Sequence, residues 1–188
     1  MYTTITKVEN YLITNIDLGF QSQVEDYIEA VTRDIDNYTK RSFTSTTETR
    51  YFDGDNTREM RIDDALAITT LELSSEYYGD TFNEETDYIT IPANELPITR
   101  IHLKDNWFYN GIQNVKITAD WGYSSTTPKD IEFAATVMVG MIINHQMNND
   151  GKTGESIGDY KVSFGDNKQE KDYQKAISIL DSYKRYYL

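Results

Sequence analysis

The 188-residue chain contains no cysteine, which excludes disulfides, thiol nucleophiles and cysteine-ligated metal sites. Histidine is nearly absent as well. His102 and His145 have no His or Cys partner at ligand spacing, so both read as structural residues, His145 near the end of an apolar helix where an imidazole suits the terminal carbonyls. Positive charge is scarce, with 18 Lys and Arg against 31 Asp and Glu and a net charge of −13. Tight duplex binding relies on cations that displace counterions from phosphate. The composition therefore argues against sequence-specific DNA binding, while a wall that DNA slides past fits it, as does a plain solvated surface. No run reaches the roughly 18 apolar residues of a membrane-spanning helix, and no apolar core of signal-peptide length opens the chain. The expected place of assembly is the cytoplasm in which it is made, with no membrane partner.

Tyrosine, by contrast, is plentiful, with 15 residues against 7 Phe. Its ring brings apolar area and its hydroxyl tolerates water, which suits subunit contacts; aromatics also favour strands. Hydrophobic residues are 38% of the chain, little for an enzyme of this length and natural for a subunit that completes its burial against neighbours.

The capping-box form Thr6-Lys7-Val8-Glu9 ahead of Tyr11 and Leu12 predicts a short opening helix. From Phe20 onward, Val24, Tyr27, Ile28, Val31, Ile35 and Tyr38 recur at spacings of three and four, the stripe of an amphipathic helix. Residues 45–52 and 59–62 read as strands around Asp53-Gly54-Asp55-Asn56-Thr57, a run that predicts a hairpin loop. Further strands are expected over 68–73, 88–91, 98–103 and 113–119, with Pro92 and Pro97 keeping the segment between them out of a sheet interior. In the last strand Val115, Ile117 and Ala119 alternate with Lys116, Thr118 and Asp120. Thr127 and Pro128 then open a helix that is apolar on most faces, through Ile131, Phe133, Val137, Val139 and Ile143, and so is expected to lie against protein on several sides. Polar residues from Asn148 to Gly151 end it, Tyr160, Val162 and Phe164 alternate as a short strand, and Tyr173, Ala176, Ile177, Leu180 and Tyr183 mark a final amphipathic helix behind the capping pair Asn167 and Glu170.

Sites of chemistry fail on context. Asp53, Asp55, Thr57, Glu59 and Asp64 have a faint calcium-loop spacing, but Arg58 occupies the glycine position, Arg61 a ligand position, and the flanks are strands where helices are needed. Gly154-Glu155-Ser156-Ile157-Gly158 has the letters of a nucleophile elbow in the reversed order of elements, with no histidine downstream of Ser156. Gly151-Lys152-Thr153 lacks the upstream glycine and strand of a phosphate loop. No catalysis, metal or cofactor is expected. Two features point to partners instead. Tyr183, Lys184, Arg185, Tyr186, Tyr187 and Leu188 form a basic, aromatic end to an acidic chain, a candidate partner interface. Asn149, Asp150, Gly151, Lys152, Thr153, Gly154 and Glu155 form a candidate mobile loop that a partner would order, or else an ordinary exposed turn.

The order of parts resembles the head-tail connector, or adaptor and head-completion, proteins of tailed bacteriophages and prophages. The resemblance is carried by the helix exit from Thr32 to Phe43 with its Ile-x-x-Tyr-Thr-x-Arg-x-Phe pattern, by Trp121-Gly122-Tyr123, by Pro128-Lys129-Asp130-Ile131, and by Glu155-Ser156-Ile157-Gly158-Asp159-Tyr160. It implies an α+β protein with a helical bundle core over residues 1–43 and 121–188 and an inserted antiparallel β lobe over 44–120. It further implies a structural virion protein at the head-tail interface, whose copies form a dodecameric ring on the portal, present a platform to the stopper or tail completion protein, and extend a channel through which DNA passes without specific binding. The rival reading is a non-catalytic module whose β lobe holds a carbohydrate or peptide, with Trp107, Phe108 and Tyr109 as its aromatic site.

Overall fold

The computed structural model describes residues 1–79, 81–147, 156–157, 160–161 and 168–185. The protein is mixed α+β, with four α-helices and a six-stranded antiparallel sheet among the described residues, and it divides into two compact units. One joins Met1–Arg41 to Thr127–Leu188; the other is the continuous segment Ser42–Thr126.

The first unit is helical. Helix α1 (Ile5–Leu12) is capped by Thr4, whose hydroxyl accepts from the Lys7 N–H, two residues before the Thr6 that the sequence pattern favours. Thr6 lies inside the helix, so its Glu9 cannot close a capping box; the Glu9 carboxylate instead accepts from the Ile16 N–H at 2.9 Å, beyond the helix end. The chain leaves α1 through Ile13 at φ 55° and makes a 3₁₀ turn at Leu18–Phe20 before α2 (Gln21–Thr39). Val24, Ile28, Val31 and Ile35 are the buried seam of α2, closed by Thr39, whose hydroxyl donates to the Ile35 carbonyl. Tyr27 and Tyr38, on the same predicted stripe, stay at its edge and keep access to water. Helix α3 (Lys129–Met147) buries Ile131, Ala134, Ala135, Val137, Val139 and Ile143 and packs against α1, α2 and α4 (Lys168–Tyr183). Its apolarity on most faces is explained by those three neighbours. Gly140 leaves room for the Tyr11 ring, from which a Cβ at this position would stand 2.7 Å unless the ring moved. Between α3 and α4 a minimal pair, β7 (Ser156–Ile157) and β8 (Tyr160–Lys161), runs antiparallel; Val162 and Phe164, expected to extend that strand, lie outside the described residues.

The second unit is the sheet: β1 (Thr46–Gly54), β2 (Glu59–Leu73), β3 (Asn83–Glu84), β4 (Tyr88–Ile91), β5 (Ile98–Leu103) and β6 (Gly111–Trp121). The spatial order is β1-β6-β2-β5-β4, with β3 on the end of β2. Strand β2 is longer than the two apolar segments that announced it and serves two neighbours. Glu59, Met60 and Arg61 pair with β5, and the stretch from Ala65 to Leu73 pairs with β6, with a register shift between Arg61 and Ala65. Ala65 is paired on both sides, with Ile98 of β5 and Trp121 of β6, and an irregularity of this kind bends the strand that carries it.

The expected hairpin at residues 53–57 is therefore corrected. β1 pairs with β6, not with β2, and the loop passes between strands that flank β6. Its turn residues supply a sharp bend, with Asn56 at φ 63°, but turn chemistry specifies a bend and not a pairing. Met60, Ile62, Leu71, Ile101, Leu103, Phe108, Val115, Ile117 and Trp121 are buried together in the core of this unit. Gly122 follows Trp121 at φ 149°, and a Cβ there would meet the Thr44 carbonyl at 2.3 Å, so only glycine lets the chain leave β6 here.

Candidate assembly surfaces

The N-terminal segment is fastened to distant parts of the helical unit by polar side chains. Tyr2 donates its phenol to Asp36 and its backbone N–H to the Thr32 hydroxyl, Thr3 and Thr136 share a hydroxyl hydrogen bond of 2.7 Å, and Lys7 pairs with Glu132. The Lys7 hydrogen bond, aided by Lys129, holds the Glu132 carboxyl below its usual range. Burial pushes the Asp36 carboxyl up, against the opposing pull of Tyr2 and of the N-terminal ammonium. Tyr11 reaches α4, donating to Asp172 at 3.2 Å; burial, then the negative charge of Asp172, push its phenol up to about 12.

The C-terminal end of the unit is held just as firmly as far as Arg185. The Tyr183 phenol donates to Asp130 Oδ2 at 2.7 Å, and its carbonyl accepts from Arg41 Nε at 2.7 Å. The Arg185 N–H donates to the Thr39 carbonyl at 2.8 Å, and the Lys184 ammonium stands 4.4 Å above the Tyr38 ring. Half of the predicted partner interface is thus half-buried against α2 and the start of α3, while Tyr186, Tyr187 and Leu188 lie outside the described residues. The loop from Asn149 to Glu155 lies outside them too. The helical unit does present large apolar groups that the sequence reading passed over. Ile13 and Leu18 are 88% and 83% exposed, and Phe20 is exposed beside them on the connection between α1 and α2. The signal was available, since apolar residues there fall outside any helical period.

In the β unit three carboxylates of the calcium-like run, Asp53, Asp55 and Glu59, are engaged within the fold, while Asp64 is buried. Asp53 Oδ1 accepts from the Gln113 N–H at 2.7 Å, Asp55 Oδ1 accepts from the Thr57 hydroxyl and N–H, and Glu59 pairs with Arg100. His102 Nδ1 is 3.9 Å from Glu59. Ser156 is in β7, backbone-paired with Lys161.

The loop end of this unit is organised by Asn114, a fully buried side chain of β6. Its Oδ1 accepts from the Gly54 N–H at 2.9 Å, and its Nδ2 donates to the Tyr109 carbonyl at 2.8 Å and, more weakly, to the Ser74 carbonyl at 3.4 Å. One amide thereby ties the end of β1, the loop after β2 and the loop before β6. Those loops carry exposed aromatic and aliphatic groups. Tyr77 and Tyr78 are 53% and 63% exposed, with rings in a T-shaped contact at 5.0 Å. Tyr78 bridges to Ile112, whose N–H donates to the Tyr77 carbonyl, and Ile112, Tyr109 and Trp107 are exposed as well. The predicted aromatic triplet is split, because Phe108 is fully buried in the core while Trp107, with the Arg58 guanidinium 5.0 Å above its ring, and Tyr109 face out. Tyr77, Tyr78 and Ile112 escaped the sequence reading; the adjacent pair of tyrosines between strand candidates was their one visible signal.

No protein-family model and no curated protein matches the sequence. Among solved structures, the fold is similar to a chain in the neck of an empty gene transfer agent (GTA) particle computed with C6 symmetry, at a TM-score of 0.61 and 12% identity, covering 98% of this chain and 90% of that one. A chain in the neck of a native GTA particle computed with C12 symmetry matches at a TM-score of 0.56 and 12% identity, covering 98% and 89%. A chain of the native GTA virion matches at 0.59 and 10% identity, covering 98% and 90%.

Proposed function

We propose that the chain is a structural neck component of a phage-like particle, a ring adaptor located in the virion between the portal and the stopper or tail completion protein. The observation that carries this reading is the likeness of nearly the whole chain, both units included, to chains from the neck of GTA particles. In this reading the four helices are the bundle core of the subunit, and residues 42–126 are an insertion into it. The C12 symmetry named for one of those necks supports a dodecameric ring. The function is assembly, without catalysis or cofactor. Ile13, Leu18 and Phe20 supply apolar contacts to a neighbouring copy, and the C-terminal end beyond Arg185 meets the portal. A net charge of −13 leaves DNA free to slide through the ring.

The test is electron microscopy and light scattering of the purified chain, alone and mixed with its portal. Rings of twelve-fold symmetry, or recruitment of the chain to portal rings, are expected. Strictly monomeric behaviour with portal present would overturn the assignment and favour a β-unit binding module. Ester hydrolysis lost on Ser156→Ala would overturn the non-catalytic reading.

A further inference from the structure

We propose that the loop end of the β unit is a docking platform for a cationic protein surface, held by arginine or lysine side chains laid on Tyr77, Tyr78 and Tyr109, beside Trp107. The inference stands on the β unit alone and does not depend on the ring. Asn114 ties the end of β1 and two loops with one buried amide, a frame on which the exposed rings lose little freedom on binding. Tyr and Trp on such a frame are the side chains that most often anchor protein contacts.

Charge selects the partner. Between Ser42 and Thr126 there are 15 acidic and 6 basic residues, a net of −9 that leaves only −4 of the chain's −13 to the helical unit. Four of those six cations are already matched: Arg50 with Glu48 and Asp63, Arg100 with Glu59, Lys104 with Asp87, and Lys116 with Glu72. A fifth, Arg58, covers Trp107. The surplus negative charge repels duplex phosphate and a second β unit alike, and it attracts a basic surface. The aromatic faces suit the same partner. Within this unit Arg50 already stands 4.7 Å from the Trp121 ring centre and Lys116 5.7 Å from that of Phe82, the distances at which a cation is attracted by a ring.

The test uses the full chain and defined probes: deca-arginine, deca-lysine and deca-glutamate peptides and a 20-base-pair duplex, titrated at about 0.15 M salt. Trp107 is exposed and Trp121 buried, so emission from Trp107 reports binding at the platform. Deca-arginine is expected to bind more tightly than deca-lysine and to change that emission, with the signal lost in Trp107→Phe. The double variant Tyr77→Ser, Tyr78→Ser is expected to weaken deca-arginine about tenfold, the effect of removing two such cation–ring contacts. Tyr78→Ser alone gives the same direction should the pair disturb folding. Equal affinity for wild type and the tyrosine variants would mean diffuse charge attraction and overturn the proposal, as would preferential binding of the duplex or of deca-glutamate.

Discussion

The two units of this chain are held together by different means. The helical unit relies on a single apolar helix, α3, ringed by α1, α2 and α4, and on polar side chains that fasten residues far apart in the sequence, such as Thr3 to Thr136 and Tyr11 to Asp172. The β unit is one continuous segment with its own core, in which one buried amide, Asn114, organises the loops. The contrast teaches where each unit is vulnerable. In the helical unit the weak points are close approaches between helices; in the β unit the weak point is a satisfied polar group, whose partners are stranded if it is removed.

Both tryptophans, Trp107 and Trp121, lie in the β unit, so their fluorescence follows that unit while ellipticity at 222 nm, a wavelength dominated by helices, follows mainly the other. Asn114→Ala carries the largest expected effect. It strands the Gly54 N–H and two carbonyls, and should lower stability by about 3 kcal/mol in the fluorescence transition. The ellipticity transition should move less; equal shifts would show that the two units unfold as one and would dissolve the contrast. Gly140→Ala comes next and reads the other way. Alanine is the better helix former, yet its Cβ would crowd the Tyr11 ring, so a loss of about 1–3 kcal/mol is expected in ellipticity with the fluorescence transition nearly unmoved. A gain in stability would show that Tyr11 is free to move aside.

Smaller effects sharpen the picture of the helical unit. Tyr183→Phe deletes the hydrogen bond to Asp130 and keeps the ring, with an expected loss of about 1 kcal/mol by denaturant titration. Removing residues 186–188 tests the proposed docking end: weaker portal recruitment is expected, and an unchanged affinity would place docking elsewhere. The smallest effect concerns pH. The Tyr11 phenol is raised from 10.0 to about 12 in the folded protein, so the native state keeps this proton longer than the unfolded chain does. The stabilisation is complete below the unfolded value and is lost as pH rises through the folded one. Alkaline unfolding should therefore begin between these values, and Tyr11→Phe should flatten that slope; an identical slope would assign it to other groups.

Much of the local structure was legible. Strands β4 and β5 occupy 88–91 and 98–103, as the alternation and the two flanking prolines indicated, and α3 begins within a residue of the Thr-Pro signal. Neighbour relations were not legible. Alternation in β6 states which face of Val115 and Ile117 is buried but carries no information on the strand beside it, and so the Asp-Gly-Asp-Asn-Thr run read as a hairpin that does not exist. Thr6 misled for a similar reason, since the spacing of a capping box says nothing about whether the Thr lies outside the helix or within it. The exposed platform depends on two loops and the end of β1 meeting at Asn114, a residue whose sequence context marks it only as a polar position in a strand.

The helical unit is built from both ends of the chain, with the β unit between them. During synthesis the β unit emerges whole and can fold while the ribosome still holds the remainder, because domains fold as they appear. The helices at the start have no such option. Thr3 waits for Thr136, Lys7 for Glu132, and Tyr11 for Asp172, 161 residues downstream. The packing of this unit is therefore complete only after α4 has left the ribosome.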